Sequence, residues 1–296
     1  MATKQATESN RRSIPIVSYL ARKNRGWLLL GYVVIAAFAI WTIIPIYWEL
    51  LTSFKTEAEI NTIEVVLFPR EFTFYHYVEV FTASKFPLFF RNSFVVAFLT
   101  MIVAMVVGSM GGYAMTRLRF FGRTTFARLL IYSYLAPGSV LFIPLYAMFV
   151  KLNLINNLAG VSIAYLTFTV PFCTWMLMGY FRSIPVELEE AALVDGATRW
   201  IALWRIIVPL AAPALVVVAV FSFTLSWNEF IFALVLLQKE ELLTAPVGLT
   251  YFTIGDTTYW GAMMAASSLM MLLPVALYFF AQRWVVRGWT LGAVKT

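Results

Sequence analysis

The side chains that most often carry out chemistry in proteins are scarce in this chain. Its 296 residues contain one histidine, His76, and one cysteine, Cys173. One histidine cannot make a two-histidine metal site, and one cysteine can form neither a disulfide within the chain nor a metal site built from thiolates. We expect His76 to lie in a solvated loop and Cys173 to be a small buried apolar side chain. No catalytic residue, no metal and no cofactor bound by this chain is predicted.

A phosphate-binding loop is also absent from the sequence. No G-x-x-x-x-G-K-[ST] pattern occurs, so the chain cannot cradle ATP phosphates by that means. Energy for an active process would come from ATP and Mg²⁺ bound by another protein. A membrane-embedded enzyme is a poorly supported alternative, because a serine nucleophile needs a nearby His or Lys base.

One short segment, from Pro185 to Pro209, combines acids, small residues and turn signals. It reads PVELEEAALVDGATRWIALWRIIVP. Proline suits the first turn of a helix, acids there are favoured by the helix dipole, and Asp195-Gly196 predicts a stop and a turn. Thr198 can cap a second short helix. We predict a helix–turn–helix knob to which a partner binds through Glu190, Ala191, Ala192, Asp195 and Gly196.

A second polar group, SWNEF, interrupts a long apolar stretch. A charged side chain deep in a membrane span is costly and needs a physical reason. In one interpretation Glu229 lines a solute path with Ser226 and Asn228, and Trp227 stacks on a sugar ring. In the other, Glu229 is an interior carboxylate satisfied by a neighbouring helix or by the backbone of a broken helix. The sequence leaves both open.

The elements that position these segments are long apolar runs. Hydrophobic residues make up 61% of the chain and charged residues 12%, and the mean hydropathy is +0.80, whereas soluble domains carry about a quarter charged residues. We predict an all-α polytopic helical bundle over residues 27–281, with tails at 1–26 and 282–296. The predicted spans are 27–50, 92–115, 127–150, 161–181, 207–236 and 259–281. Gly108 and Gly112 in the second span predict close approach of a neighbouring helix.

Charge predicts the orientation of the bundle. Of the 22 Lys and Arg residues, 16 fall on the side that holds both tails and the 185–209 segment, which the positive-inside rule places in the cytoplasm. The net charge of +7 does not indicate a nucleic-acid partner, because the basic residues sit at the ends of apolar runs. The first span reads as a retained signal anchor rather than a cleaved signal peptide.

The 185–209 segment resembles the EAA motif of binding-protein-dependent ABC importer permeases. That motif is E-A-A, three residues, G, nine residues and I-x-L-P. It is matched here by Glu190-Ala191-Ala192, Gly196 and Ile206 to Pro209, with Val208 in place of Leu. Further stretches resemble the carbohydrate-uptake branch of this family, and the ending resembles its maltose-type permease subunit with short periplasmic loops. These stretches are LFPREFTFYHYVEVF, RNSFVVAF, GGYAMTRLRFFGR, SWNEFIFALVLL and AQRWVVRGWTLGAVKT.

The resemblance implies a type I ABC importer permease fold with six transmembrane helices in the bacterial inner membrane. It implies a non-catalytic subunit that works with a second, homologous permease subunit, a dimer of cytoplasmic ATP-binding subunits, and a periplasmic or lipid-anchored solute-binding protein. The transported solute would be a sugar, first a neutral di- or oligosaccharide, with acidic oligosaccharides, polyols and glycerol phosphate esters as other possibilities.

A stand-alone proton-coupled secondary transporter, with Glu229 as its proton relay, is the alternative. Six spans are about half the usual number for such transporters, and no convincing internal repeat relates the two halves of the chain.

Overall fold

The computed structural model describes residues 25–135 and 138–293, so most of the predicted N-terminal tail and the last three residues of the predicted C-terminal tail lie outside the described residues. In chain order the helices are α1 (Arg25–Thr52), α2 (Glu57–Ile60), α3 (Tyr75–Thr82), α4 (Phe86–Arg117), α5 (Arg123–Leu135), α6 (Gly138–Lys151), α7 (Leu158–Phe181), α8 (Val186–Val194), α9 (Arg199–Ala202), α10 (Val208–Leu210), α11 (Ala212–Trp227), α12 (Ile231–Leu236), α13 (Ala245–Gly248) and α14 (Trp260–Ala293). A π-helical turn covers Leu203–Ile207, 3₁₀ turns cover Glu240–Leu242 and Leu249–Phe252, and strands β1 (Thr253–Ile254) and β2 (Thr257–Thr258) pair antiparallel.

Four of these helices, α1, α4, α7 and α14, are long and apolar enough to cross a membrane. Two bent pairs bring the number of candidate spans to as many as six, if each pair counts as one span. Several helices extend beyond the ends of the predicted spans. For example, α4 begins at Phe86, before the predicted start at 92, because Pro87 fits the first turn of a helix.

The predicted third span, 127–150, is not one helix. It consists of α5 and α6, whose axes differ by 101°. Ala136 and Pro137, which separate the two helices in the sequence, lie outside the described residues.

The predicted fifth span, 207–236, is broken twice. The segment Arg199–Leu210 meets α11 at 82°, near Pro209 and Pro213, neither of which donates a backbone hydrogen bond. The chain leaves helical geometry again between α11 and α12, over residues 228–230. Proline spacing marks the first break, whereas hydrophobicity alone made the whole stretch look continuous.

The centre of the bundle is the contact between α4 and α7. A Cβ atom built on Gly108 would lie 2.7 Å from Cβ of Cys173, and one on Gly112 would lie 3.2 Å from Cβ of Leu177. Gly111 is similarly close to Thr174. The close approach predicted from Gly108 and Gly112 is therefore present, and its partner is α7. Cys173 is fully buried, as predicted.

His76 does not lie in a solvated loop as predicted, since it is fully buried on α3. Its Nε2 lies 2.9 Å from the carbonyl oxygen of Lys55, just beyond α1. Gly261 of α14 makes room for the ring, because a Cβ there would lie within 2.1 Å of it. His76 thus ties together α1, α3 and α14, three elements far apart in sequence, which is why its local sequence did not reveal the burial.

Gly108→Ala is expected to destabilise the bundle, because the new methyl group meets Cβ and backbone atoms of Cys173 that cannot rotate away. Overpacking of this kind costs about 1–3 kcal/mol. Thermal unfolding in detergent should show a lower Tm for Gly108→Ala, and adding Cys173→Gly should restore part of the loss. Gly31→Ala is the control, since nothing lies within 4 Å of the added methyl group. Equal melting of the two alanine variants would contradict the close packing.

Candidate functional site

The predicted knob exists as a helical hairpin, which we define as residues 185–209. Helix α8 starts after Pro185 and ends at Val194 with Asp195 as its C-cap, and Gly196 follows with φ of +86°. The N–H of Gly196 donates to Leu193 O at 3.1 Å, and the N–H of Ala197 donates to Ala192 O at 2.9 Å. These two bonds form a Schellman C-cap, in which glycine takes the left-handed conformation at least cost.

The second arm of the helical hairpin begins where the sequence predicted. Thr198 caps α9, with its Oγ1 accepting from Ile201 N at 3.3 Å. The arm continues through the π-helical turn into α10, and the rings of Trp200 and Trp204 meet edge to face with centroids 5.7 Å apart. Each arm is joined to a span: residues 182–185 link the first arm to α7, and the second arm meets α11 at an 82° bend.

The tip of the helical hairpin offers a mixed acidic and apolar surface. Glu190, Ala191, Asp195 and Gly196 are exposed, and Ala192 is half-buried. Val194 beside them is 87% exposed, and the indole of Trp200 is exposed as well. Small, acidic and apolar side chains that are all accessible at one tip suit docking to another protein.

Glu189, next to the predicted contact residues, points the opposite way. Its side chain is only 5% exposed, and its Oε2 lies 3.4 Å from Nε of Arg117 at the end of α4. Its Oε1 accepts a hydrogen bond from the Tyr113 hydroxyl. A buried carboxylate is tolerated when it is paired and hydrogen-bonded in this way.

Arg117 also fixes the end of α7. Its Nη2 donates to the carbonyl oxygens of Phe181, at 3.0 Å, and Ile184, at 2.6 Å. The guanidinium therefore joins α4, the end of α7 and α8. We call Tyr113, Arg117 and Glu189 the anchor triad.

Sequence reasoning missed the anchor triad, since Glu189 was interpreted only as an acid that favours the helix dipole. A usable signal was present in α4, where Tyr113 and Arg117 are four residues apart and so share one helix face. Nothing local to either segment, however, indicates that the two segments meet.

The SWNEF group lies at the break between α11 and α12. The carboxylate of Glu229 accepts from Phe232 N at 3.0 Å and from Ala233 N at 3.2 Å, so it caps α12. Asn228 is exposed, and its Nδ2 donates back to Thr224 O at 3.0 Å. This geometry corresponds to the second interpretation of Glu229, a carboxylate satisfied by the backbone of a broken helix.

Trp227 is not placed to stack on a sugar ring in this conformation. It is 1% exposed, its ring is 5.0 Å from that of Phe90, and its Nε1 donates to Met270 O at 3.2 Å. Ser226 is also buried, and its Oγ has no hydrogen-bond partner among the described residues. The stacking role predicted for Trp227 therefore conflicts with its position in the core.

No group of three or more His, Cys, Asp or Glu residues is arranged to hold a metal ion within residues 25–135 and 138–293.

Known proteins resemble this chain over most of its length. The family described as "Binding-protein-dependent transport system inner membrane component" matches residues 104–291. The inner membrane ABC transporter permease protein YcjP of Escherichia coli is 38% identical over 266 residues, which cover 89% of this chain and 95% of that protein. The diacetylchitobiose uptake system permease protein DasC of Streptomyces coelicolor is 36% identical over 253 residues, which cover 86% of this chain and 92% of that protein.

A solved structure has the same fold. It is the crystal structure of a bacterial ABC transporter involved in the import of the acidic polysaccharide alginate. Its matching chain superposes with a TM-score of 0.75 at 24% identity, over 89% of this chain and 98% of that chain.

Glu189→Gln is expected to loosen the helical hairpin, because it leaves the Arg117 guanidinium without a counter-charge in a site where both side chains are buried. Breaking a buried ion pair costs about 3–5 kcal/mol. Hydrogen exchange should show faster exchange across residues 186–202. Glu187→Gln, which changes an exposed acid of the same helix turn, should leave exchange unchanged. Equal exchange in the two variants would show that the anchor triad does not hold α8.

Gly196→Ala is expected to destabilise the C-cap of α8 by about 1–2 kcal/mol, because an L-residue is strained at φ of +86°. The space is open, with nothing within 4 Å of the added methyl group, so the backbone alone sets the cost. Gly179→Ala is the matched control, since its site is equally open but lies inside α7. Exchange in residues 190–200 should rise only for Gly196→Ala, and a rise in neither variant would contradict the strain argument.

Proposed function

The chain belongs to the family of binding-protein-dependent transport system inner membrane components, and from that premise we propose that it is the permease subunit of an ATP-driven importer for a sugar or oligosaccharide. The fold is the all-helical type I fold of ABC importer permeases, as the sequence predicted. The observation that carries the proposal is the helical hairpin, which exposes its acidic tip and is held to α4 through a buried ion pair.

The proposed coupling follows from this arrangement. One subunit of a pair of ATP-binding subunits binds the tip at Glu190, Ala191, Ala192, Asp195 and Gly196, and the other binds the second permease subunit. Closure of the nucleotide dimer then displaces α8, and the anchor triad passes the displacement to α4 and the end of α7. ATP and Mg²⁺ stay on that partner, and this chain supplies the mechanical connection.

The proposed orientation places both termini and the helical hairpin in the cytoplasm. The support is the charge distribution, with 16 of 22 basic residues on that side. The opposite face, which carries α2, α3, α13 and the β1–β2 pair, then meets a solute-binding protein. Helix α1 packs mainly against α14 and otherwise exposes apolar side chains, which suits contact with lipid or with a second permease subunit.

The proposed solute class rests on the relatives. Three of them are named as permease proteins for diacetylchitobiose, for trehalose and for arabinooligosaccharides. We therefore put a neutral di- or oligosaccharide first and acidic oligosaccharides second. The alternative of a stand-alone proton-coupled transporter is not supported by the family, and the Glu229 carboxylate is engaged in capping α12.

Glu190→Lys combined with Gly196→Asp is expected to leave the protein in the membrane but to uncouple it. The first change reverses the charge at the tip, and the second strains the turn. In vesicles that contain the assembled importer, stimulation of ATPase activity by the loaded solute-binding protein should be lost together with uptake. Normal stimulated uptake in this double variant would remove the coupling role.

Crosslinking tests the same contact directly. In a Cys173→Ala background, Ala191→Cys and Ala192→Cys should each crosslink to the ATP-binding subunit in intact cells. Thr125→Cys on α5 is the control, because Thr125 is exposed, precedes the predicted third span on the same predicted side, and lies outside the helical hairpin. Crosslinks from Thr125→Cys alone would place the ATPase elsewhere.

A further inference from the structure

A half-open cavity of about 340 Å³ lies at the end of the bundle opposite the helical hairpin. Its walls come from the end of α1, the segment 59–66 and the start of α14. The volume falls in the range of about 300–1,000 Å³ that is typical of small-molecule sites. Two tryptophans, Trp48 of α1 and Trp260 of α14, stand on opposite elements of its wall.

The polar floor of the cavity consists of two buried side chains, Thr52 and Lys55. Thr52 is 6% exposed, and its Oγ1 has no hydrogen-bond partner within the described part of the chain. Lys55 is 2% exposed, and its Nζ rests 4.1 Å from the centre of the Trp48 ring. Burial lowers the pKa of the Lys55 ammonium, and nearby Glu59 offsets part of that effect. An anion with several oxygen atoms, bound in the cavity, would accept hydrogen bonds from both the Thr52 hydroxyl and the Lys55 ammonium.

The floor is held rigidly, as a binding site requires. The carbonyl oxygen of Lys55 bonds to buried His76, and the hydroxyl of Ser53 bonds to that of Tyr77 at 2.8 Å. These contacts fix the turn after α1 against α3. The Thr52 hydroxyl and the Lys55 ammonium are therefore held at fixed positions around this turn.

The cavity also carries negative charge next to its lysine. Glu59 is half-buried, and one of its carboxylate oxygens accepts from Arg70 N at 2.7 Å while the other accepts from Thr56 N at 3.3 Å. Each oxygen has two lone pairs, so each keeps one acceptor position for a ligand. Glu64 is exposed at the rim, 3.7 Å from Arg70. A ligand with an anionic group joined to a short cationic group matches this arrangement better than a simple anion does.

The position of the cavity relative to α1 indicates how deep in the membrane the cavity lies. It lies where α1, which exposes large apolar side chains from Trp27 to Trp48, comes to its end. Tryptophans at such ends mark the interface at which lipid headgroups lie. Exposed Ile63 and Val65 add an apolar wall suited to the glycerol and acyl region.

We propose that this cavity binds the headgroup of a zwitterionic phospholipid of the phosphatidylethanolamine type. Lys55 and the Thr52 hydroxyl bind the phosphate, Glu59 and Glu64 bind the ammonium, and the tryptophans flank the glycerol region. The proposal goes beyond saccharide import and does not depend on the transported solute, so lipid binding and uptake can fail separately.

The test is lipid binding to the assembled importer, measured by native mass spectrometry with phosphatidylethanolamine, phosphatidylcholine and phosphatidylglycerol. Phosphatidylethanolamine should bind most tightly, because only it offers both a phosphate and a hydrogen-bonding ammonium. Lys55→Met should weaken that binding about tenfold and Thr52→Val about threefold, as expected for one charged and one neutral hydrogen bond. Lys151→Met, an exposed lysine at the end of α6 and outside this cavity, should change nothing.

Melting supplies a second readout that separates the site from a packing effect. Without lipid, Thr52→Val should raise Tm, because a buried unpaired hydroxyl is replaced by a methyl group. With phosphatidylethanolamine present, the wild type should gain more in Tm than either cavity variant. The proposal is overturned if all three lipids bind with equal affinity or if Lys55→Met binds phosphatidylethanolamine as tightly as the wild type does. It is equally overturned if Lys151→Met weakens that binding as much as Lys55→Met does. It is also overturned if maltotriose displaces the lipid, which would make the cavity a saccharide site.

Discussion

The buried carboxylate of Glu189 is the contact on which the position of the helical hairpin depends. A helix of nine residues is too short to be stable by itself in water, and its own connections to the spans are a four-residue link and a turn. The ion pair with Arg117 adds a fixed point, and because the same guanidinium binds the last carbonyls of α7, one side chain sets the relation of three elements. The exposed tip can therefore be polar, because the position of the helical hairpin does not depend on burying the tip.

Behind this fixed point lies the close packing of α4 on α7. Three glycines bring the backbones together at Cys173, Thr174 and Leu177, so the two helices have little freedom to slide. Helix α1 is largely exposed, and each of the two bent pairs carries a break. The bundle thus combines a stiff inner pair, attached to the helical hairpin, with outer elements that can adjust when that pair moves.

Much of this architecture could be predicted from the sequence because it is encoded locally. The length of the apolar runs predicted a bundle of helices long enough to cross a membrane, of which the described residues contain four, or up to six if each bent pair is one span. Pro185, Asp195-Gly196 and Thr198 predicted the helical hairpin nearly to the residue. The errors concern contacts between distant segments. The burial of His76 depends on Gly261, the role of Glu189 depends on Arg117, and Trp227 contacts Phe90 of α4 and Met270 of α14. The first bend in the fifth span lies near Pro209 and Pro213, so the proline positions carry a signal for it that the hydrophobicity of the stretch conceals.

The 82° bend between the segment Arg199–Leu210 and α11 has a mechanical consequence. When a helix meets a span nearly at a right angle, a sideways shift of the helix's far end rotates the span about its own axis. A helix collinear with the span would instead push the span along its axis. Rotation needs less rearrangement of apolar surface in lipid than lengthwise sliding does, because no polar end enters the hydrocarbon. The π-helical turn at Leu203–Ile207 lies within the segment Arg199–Leu210. Its irregular hydrogen bonding lets this segment bend slightly without losing its helical course.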